Sequence, residues 1–180
     1  DILYIVIHDT GNKSDSDEGN AKYFSEDKRG ASAHYFVDDD SITQVVEDKD
    51  IAWHVGDGKG AYGITNKNSL GIEMCRVNAT VTATTEANTI ELVKALMEKY
   101  NVPIERVVRH YDASRKPCPE SFQDNNWHRW NKFKAKLVEP VQTSKTLFRV
   151  QVGAFGEESN AKAMLEKLKQ AGFNGIITRA

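Results

Sequence analysis

At 180 residues, with 39% hydrophobic and 28% charged side chains, the chain has the composition of one well-buried globular domain with room for a small appendage. Its formal charge of −2, from 24 basic and 26 acidic residues, lacks the electrostatic footprint of a nucleic-acid binder. No apolar run approaches the roughly 18 residues that a membrane helix needs, so neither nucleic acid nor membrane is expected as a partner.

Ile2-Leu3-Tyr4-Ile5-Val6-Ile7 is a continuous apolar run and predicts a buried strand in the middle of a sheet, ending at His8. Asn20 to Asp27 reads as a short helix. Ala33 to Val37 and Ile42 to Val46 read as a hairpin around Asp38-Asp39-Asp40-Ser41. Asp57 to Asn68, rich in Gly, Lys and Asn, reads as a surface loop, and Leu70 to Met74 as another strand. The clearest helix runs from Thr85 to Tyr100, with Ile90, Val93, Met97 and Tyr100 on one face. Thr84 or Thr85 would cap it, and Pro103 forbids its continuation. Ile104 to Val108 predicts a short strand leading to His110. A last helix from Asn126 to Leu137 carries Trp127, Trp130 and Phe133, with His128 among these core aromatics.

Residues 139–146 break all periodicity and read as a linker. Residues 147–180 then predict a strand from Phe148 to Val152, a helix from Ser159 to Ala171 and a strand from Ile176 to Thr178. Ala161, Met164, Leu165 and Leu168 face inward on that helix, and Gly172 takes its C′ position. A β-α-β piece this short reads as half of something.

The chemistry concentrates in His8 and in His110-Tyr111-Asp112 followed by Lys116-Pro117-Cys118-Pro119. Two imidazoles and a thiolate can close three sides of a tetrahedral zinc ion and leave the fourth to water, which separates a catalytic site from a structural one. Each of the three alone reads more simply as an ordinary core or strand-end residue, and it is their combination that points to a metal. Asp112 reads either as an acceptor for a ligand imidazole or as a loop cap. Cys75 reads as a buried structural cysteine, since two cysteines make no disulfide framework. The start at Asp1, without Met, reads as that of a processed or trimmed product.

Five ordered blocks then carry a resemblance: Ile7-His8-Asp9-Thr10, Ser32-Ala33-His34-Tyr35-Phe36-Val37-Asp38, Ala52-Trp53-His54-Val55-Gly56, Asn68-Ser69-Leu70-Gly71-Ile72-Glu73, and Arg109-His110-Tyr111-Asp112 through Lys116-Pro117-Cys118-Pro119. Residues 1–138 resemble the zinc-dependent N-acetylmuramoyl-L-alanine amidases of the phage-endolysin and autolysin type. The resemblance implies an α/β fold with a mixed central sheet flanked by helices. It implies zinc on His8, His110 and Cys118, and cleavage of the amide between N-acetylmuramic acid and the first L-alanine of peptidoglycan. It also implies Glu73 as general base, needed because a proton must pass from water to the leaving nitrogen. Lys116 reads as an oxyanion partner or as a solvated lysine. His34 is expected to line the cleft or support a ligand, and Trp53 and His54 to meet sugar or stem peptide. Part of the family has a tyrosine where this chain has Ala33, which leaves more proton transfer to Glu73.

Phe148 to Phe155, with Asn160-Ala161 and Leu168 to Phe173, resembles half of a SPOR peptidoglycan-binding repeat. The resemblance implies wall glycan as partner and a place of action outside the cell, at the bacterial wall. Either the domain is cut short or halves pair between molecules as a homodimer. Two other readings compete. Peptidoglycan-recognition modules of the same fold bind without cleaving, and a cysteine hydrolase would use Cys118 with His110.

Overall fold

The computed structural model describes residues 1–26, 29–139 and 155–172. The chain divides into two compact units, Asp1–Pro140 and Val141–Ala180. Among the described residues no helix is long and apolar enough to cross a membrane.

The first unit is built on a five-stranded mixed sheet. Its strands are β1 (Tyr4–Asp9), β2 (Tyr35–Val37), β3 (Ile42–Gln44), β4 (Ser69–Met74) and β5 (Val107–Arg109), in the order β3-β2-β4-β1-β5. β1 pairs in parallel with β4 and β5, and β2 in parallel with β4, while β3 closes the edge as an antiparallel hairpin partner. This is the expected α/β architecture. β1 is flanked on both sides, which explains why Ile5, Val6 and Ile7 are all apolar and fully buried.

Alternation sorts the side chains between two faces. Ile5, Ile7, Leu70, Ile72 and Met74 join the larger core. They pack with Ile90, Val93 and Leu96 of α2 (Ala83–Tyr100) and with Trp130, Phe133 and Leu137 of α4 (His128–Val138). Burying each of these side chains stabilises by roughly 1.5–3 kcal/mol. Buried Glu86 of α2 ties the two helices together, accepting from Arg129 at 3.1 Å and Lys136 at 2.7 Å. The other face of β1 and β4 carries Val6, His8, Gly71 and Glu73, so one face makes the core and the other makes chemistry.

Several boundaries move. The first helix, α1, is Asp17–Ser25, started by Ser16 accepting from Gly19 N–H. Ala33 and His34 precede β2 rather than belonging to it. Thr82, not Thr84 or Thr85, caps α2, because its hydroxyl accepts from Thr85 N–H while Asp39 accepts from the same group. Ile104–Arg106 is a 3-10 turn before β5. Trp127 stands outside α4 with φ +64°, and His128 is exposed rather than among the core aromatics.

In the second unit, α5 (Glu158–Gln170) keeps Ala161, Met164, Leu165 and Leu168 half-buried on one stripe, and Gly172 follows at φ +85°. The strands expected at 148–152 and 176–178 lie outside the described residues.

Candidate metal centre and active site

The parallel strands β1, β4 and β5 end on the same edge of the sheet, and open α/β sheets place ligands at the carboxyl ends of such strands. The register does the rest. His8 pairs directly with Glu73 across β1 and β4, so both side chains leave the sheet on one side. Ile7 pairs with Arg109 across β1 and β5, which delivers His110 beside His8 as the first residue of α3 (His110–Ser114). The two imidazole rings stand 4.6 Å apart, edge to face.

Cys118 arrives on a loop that the same elements hold. Its carbonyl accepts from Tyr111 N–H of α3 at 3.0 Å. The carboxylate of Asp9, next to His8 on β1, accepts from Glu120 and Ser121 N–H at 2.9 and 2.8 Å. The loop is thereby tied to both histidine-bearing elements. Buried Arg76 sits 3.9 Å from Asp9 and 2.8 Å from Glu120, which balances that carboxylate.

One ligand-type atom each from His8, His110 and Cys118 lies within 4.8 Å of the others, and all three residues are buried. The orientation of each ring is telling. His8 presents Nδ1 to Cys118 Sγ at 3.8 Å and to Glu73 Oε1 at 3.9 Å, while its Nε2 turns away to His54 Nδ1 at 3.0 Å. His110 directs Nε2 to Asp57 Oδ1 at 2.8 Å, and its Nδ1 is buried without any partner. Glu73 Oε2 is a second buried atom with no partner. Buried orphans of this kind are rare and costly, at about 1–3 kcal/mol each, and mark a place where a further group belongs.

The electrostatics agree with that group being a cation. Burial, then neighbouring His54 and His110, hold His8 well below the usual imidazole range, and burial also lowers His110 against the pull of Asp57. Burial and then Asp9 push the Glu73 carboxyl up to about 8. Burial and then Glu73 push the Cys118 thiol up as well. Neutral imidazoles are what a metal needs, and a dication would reverse the other two shifts by stabilising thiolate and carboxylate. Zinc binds nitrogen at about 2.0 Å and sulfur at about 2.3 Å, so a tetrahedral site separates its donors by roughly 3.3–3.7 Å. The chemistry of these residues fits such an ion, and Nδ1 of His8 and Sγ of Cys118 already stand 3.8 Å apart.

The cleft over these atoms has a volume of about 160 Å³, with Trp53, His54 and Lys116 on its walls beside Glu73. A larger depression of about 660 Å³ around Asp48, Lys99 and Tyr100 includes none of the residues expected to act. Trp53 is 59% exposed, so its indole face is open to a ligand. His34 is only 1% exposed, with Nδ1 accepting from Gly71 N–H and Nε2 at 3.2 Å from Asp50 O. Both ring nitrogens are therefore engaged, one by β4 and the other by the turn at Asp50, which favours the supporting over the cleft-lining place of the two expected. His54 touches the cleft, but its ring stands behind His8.

Asp112 turns out to be the cap. It accepts from Arg109 N–H at 2.9 Å and pairs with the Arg109 guanidinium at 2.6 Å, leaving His110 to Asp57. Partial burial works against the Asp57 charge, but hydrogen bonds from His110 and Ser114 keep its carboxyl below the usual range. Sequence reading missed Asp57 inside a supposed surface loop. The signal was Gly56-Asp57-Gly58: a Cβ on Gly58 would meet Ala113 O at 2.1 Å, so the glycine lets this segment lie against α3. Cys75 is buried and takes a weak 3.6 Å contact from Asn20.

Solved structures share this arrangement of the chain, and curated proteins are similar to it in sequence. The catalytic domain of XlyA superposes with a TM-score of 0.67 at 35% identity, covering 76% of this chain and 86% of that one. PlyL superposes with a TM-score of 0.68 at 31% identity, covering 76% and 83%. Over 137 residues the chain is 35% identical to the N-acetylmuramoyl-L-alanine amidase XlyA of Bacillus subtilis (strain 168), covering 75% of this chain and 44% of the relative. It is 33% identical over 132 residues to CwlH of the same organism, an N-acetylmuramoyl-L-alanine amidase of which it covers 50%. The chain thus spans half or less of the length of these two curated relatives. Residues 128–179 match the SPOR domain model, a match that begins within α4. Residues 1–121 match the family model described as N-acetylmuramoyl-L-alanine amidase, and the chain belongs to that family.

Proposed function

We propose that this chain is a zinc-dependent peptidoglycan hydrolase that cleaves the amide between N-acetylmuramic acid and the first L-alanine of the stem peptide. The observation that carries the reading is the convergence of His8, His110 and Cys118 beside Glu73, with the buried Nδ1 of His110 left unpartnered. Two imidazoles and one thiol are a donor set that suits zinc. When bound, zinc supplies Lewis acidity toward a water molecule and the scissile carbonyl.

The chain's own groups divide the remaining work. Glu73 takes the proton of the attacking water and returns it to the leaving nitrogen of alanine. Lys116, on the cleft wall, adds positive charge where the oxyanion develops. Trp53 offers a flat apolar surface to a sugar ring or to the stem peptide. The Cys118 loop and α3 keep the metal donors in place.

In this reading residues 1–138 are the catalytic part, 139–146 a linker, and 147–180 part of a wall-binding module. Tethering such a module would raise the effective concentration of the catalytic unit at its polymer. The protein then acts at the bacterial cell wall, secreted or released at phage lysis. A binding-only role is disfavoured, because recognition needs neither three metal donors nor a carboxylate oxygen left without a partner beside them. A cysteine hydrolase is disfavoured too. Burial holds the Cys118 thiol protonated, and its Sγ faces His8 rather than His110.

Clearing of cell-wall suspensions, followed by mass spectrometry of the released fragments, tests the assignment. The expected products are stem peptides with a free alanine amine and intact glycan strands, lost on chelation and restored by zinc. Clearing that survives chelation, or fragments that keep the muramyl–alanine bond, would reject it.

A further inference from the structure

His8 Nε2 faces another imidazole, an arrangement that is unproductive unless one ring donates and the other accepts. A chain of contacts settles which. Ser69 Oγ lies 2.6 Å from the carbonyl of Thr65, and a carbonyl can only accept, so the hydroxyl proton is spent there. The Ser69 oxygen must then accept from His54 Nε2 at 3.2 Å. With its proton on Nε2, His54 has a lone pair on Nδ1, which accepts from His8 Nε2–H at 3.0 Å. The lone pair of His8 is left on Nδ1, the atom turned toward Cys118 and Glu73.

A second observation shows that the His54 ring has a built seat. A Cβ on Gly71 would lie 2.6 Å from His54 Cγ and 2.7 Å from its Nδ1, so only glycine lets the ring lie against β4. Gly71 N–H is itself fixed by His34 Nδ1 at 3.0 Å, and Asn66 Oδ1 accepts from His54 N–H at 3.1 Å. Ring position and proton direction are therefore both determined before any ligand arrives.

We propose that His54 is a positioning residue, which passes the polarity of the Thr65 carbonyl through Ser69 to His8 and so fixes His8 in the tautomer that offers Nδ1 to the metal. This rests on the metal-site reading above. It gives the segment from 56 to 69 a role beyond surface shape, since Asp57 and Thr65 within it stand behind the two histidines.

The test uses the full chain, stripped of metal. Proton–nitrogen correlation spectra of the imidazole rings report the tautomer, and competition with a chromophoric chelator reports zinc affinity. The wild type should show His8 protonated on Nε2. His54→Leu, which removes the acceptor, should mix the His8 tautomers and weaken zinc about 10–100-fold. His54→Asn, whose Oδ1 can stand where Nδ1 stood, should recover most of that loss. Ser69→Ala keeps the ring but frees its tautomer, and should weaken zinc in the same direction by less. A His8 proton on Nδ1 in the wild type would overturn the proposal, as would unchanged zinc affinity in both His54→Leu and Ser69→Ala. Wild-type protein that shows the expected tautomer yet binds no zinc would reject the metal reading while leaving the hydrogen-bond chain intact.

Discussion

His8 and His110 turn the same ring atom inward, but the groups behind them differ in kind. Behind His110 stands a carboxylate, Asp57, whose side chain is 46% exposed and which also accepts from Ser114. Behind His8, which is 1% exposed, stands neutral His54, whose pKa burial and then His34 push down to about 3. Depth accounts for the choice. A carboxylate near the surface keeps part of its hydration, whereas one behind His8 would lose it and cost several kcal/mol. The interior side is held by direction of hydrogen bonds alone, and the outer side by charge.

The largest expected effect lies beside His8, at Glu73, rather than behind either histidine. Glu73→Gln should lower the rate of wall hydrolysis by about 10²–10⁴-fold while zinc content stays at the wild-type level. Hydrolysis within tenfold of wild type would remove Glu73 from the proton path. Asp57→Ala should weaken zinc binding by about 10–100-fold, and Asp57→Asn by less because an acceptor remains. Equal losses in the two variants would show that the charge of Asp57 adds nothing, and the contrast between the two sides would fail.

Proton counting sharpens the comparison next. Both ligand imidazoles are already neutral near pH 7, so zinc uptake must release protons from Cys118 and, below about pH 8, in part from Glu73. Affinity should rise with pH by about tenfold per unit for each proton released. Calorimetry in buffers of different ionisation enthalpy measures this, and uptake without proton release would contradict it. The smallest effect is on stability. A folded carboxyl near 8, above the usual 4.5, means that the unfolded chain binds fewer protons between those values. Metal-free stability is therefore lost progressively as pH rises from 4.5 toward 8. Glu73→Gln should raise the metal-free Tm by about a few degrees at pH 8 and hardly at pH 5. Thermal unfolding at the two pH values measures it.

Local pattern made the sheet and α2 legible. The apolar run before His8 and the three-and-four spacing from Ile90 to Tyr100 are backbone-scale signals, and both elements form within a few residues of where they are expected. The pairing of His8 with Glu73 is different, because it depends on a register between segments 65 residues apart in number. Alternation shows only that Glu73 leaves the apolar face. Asp57 and Asp9 were hidden for the same reason: each acts on a segment remote in sequence, His110 for one and Glu120 for the other. His54 was legible as a residue and not as an orientation, since its seat is an absence, the missing Cβ of Gly71. His128 is exposed rather than among the core aromatics because it stands two residues from buried Trp130, about 200° round α4 and so on the opposite face.

Zinc-edge X-ray absorption on protein with a counted metal content tests the central claim most directly. The account predicts one zinc per chain, with one sulfur and two imidazole nitrogens from the protein, and loss of the sulfur signal in Cys118→Ser. A stoichiometric zinc without sulfur among its neighbours, or a protein that takes up no zinc, would contradict it.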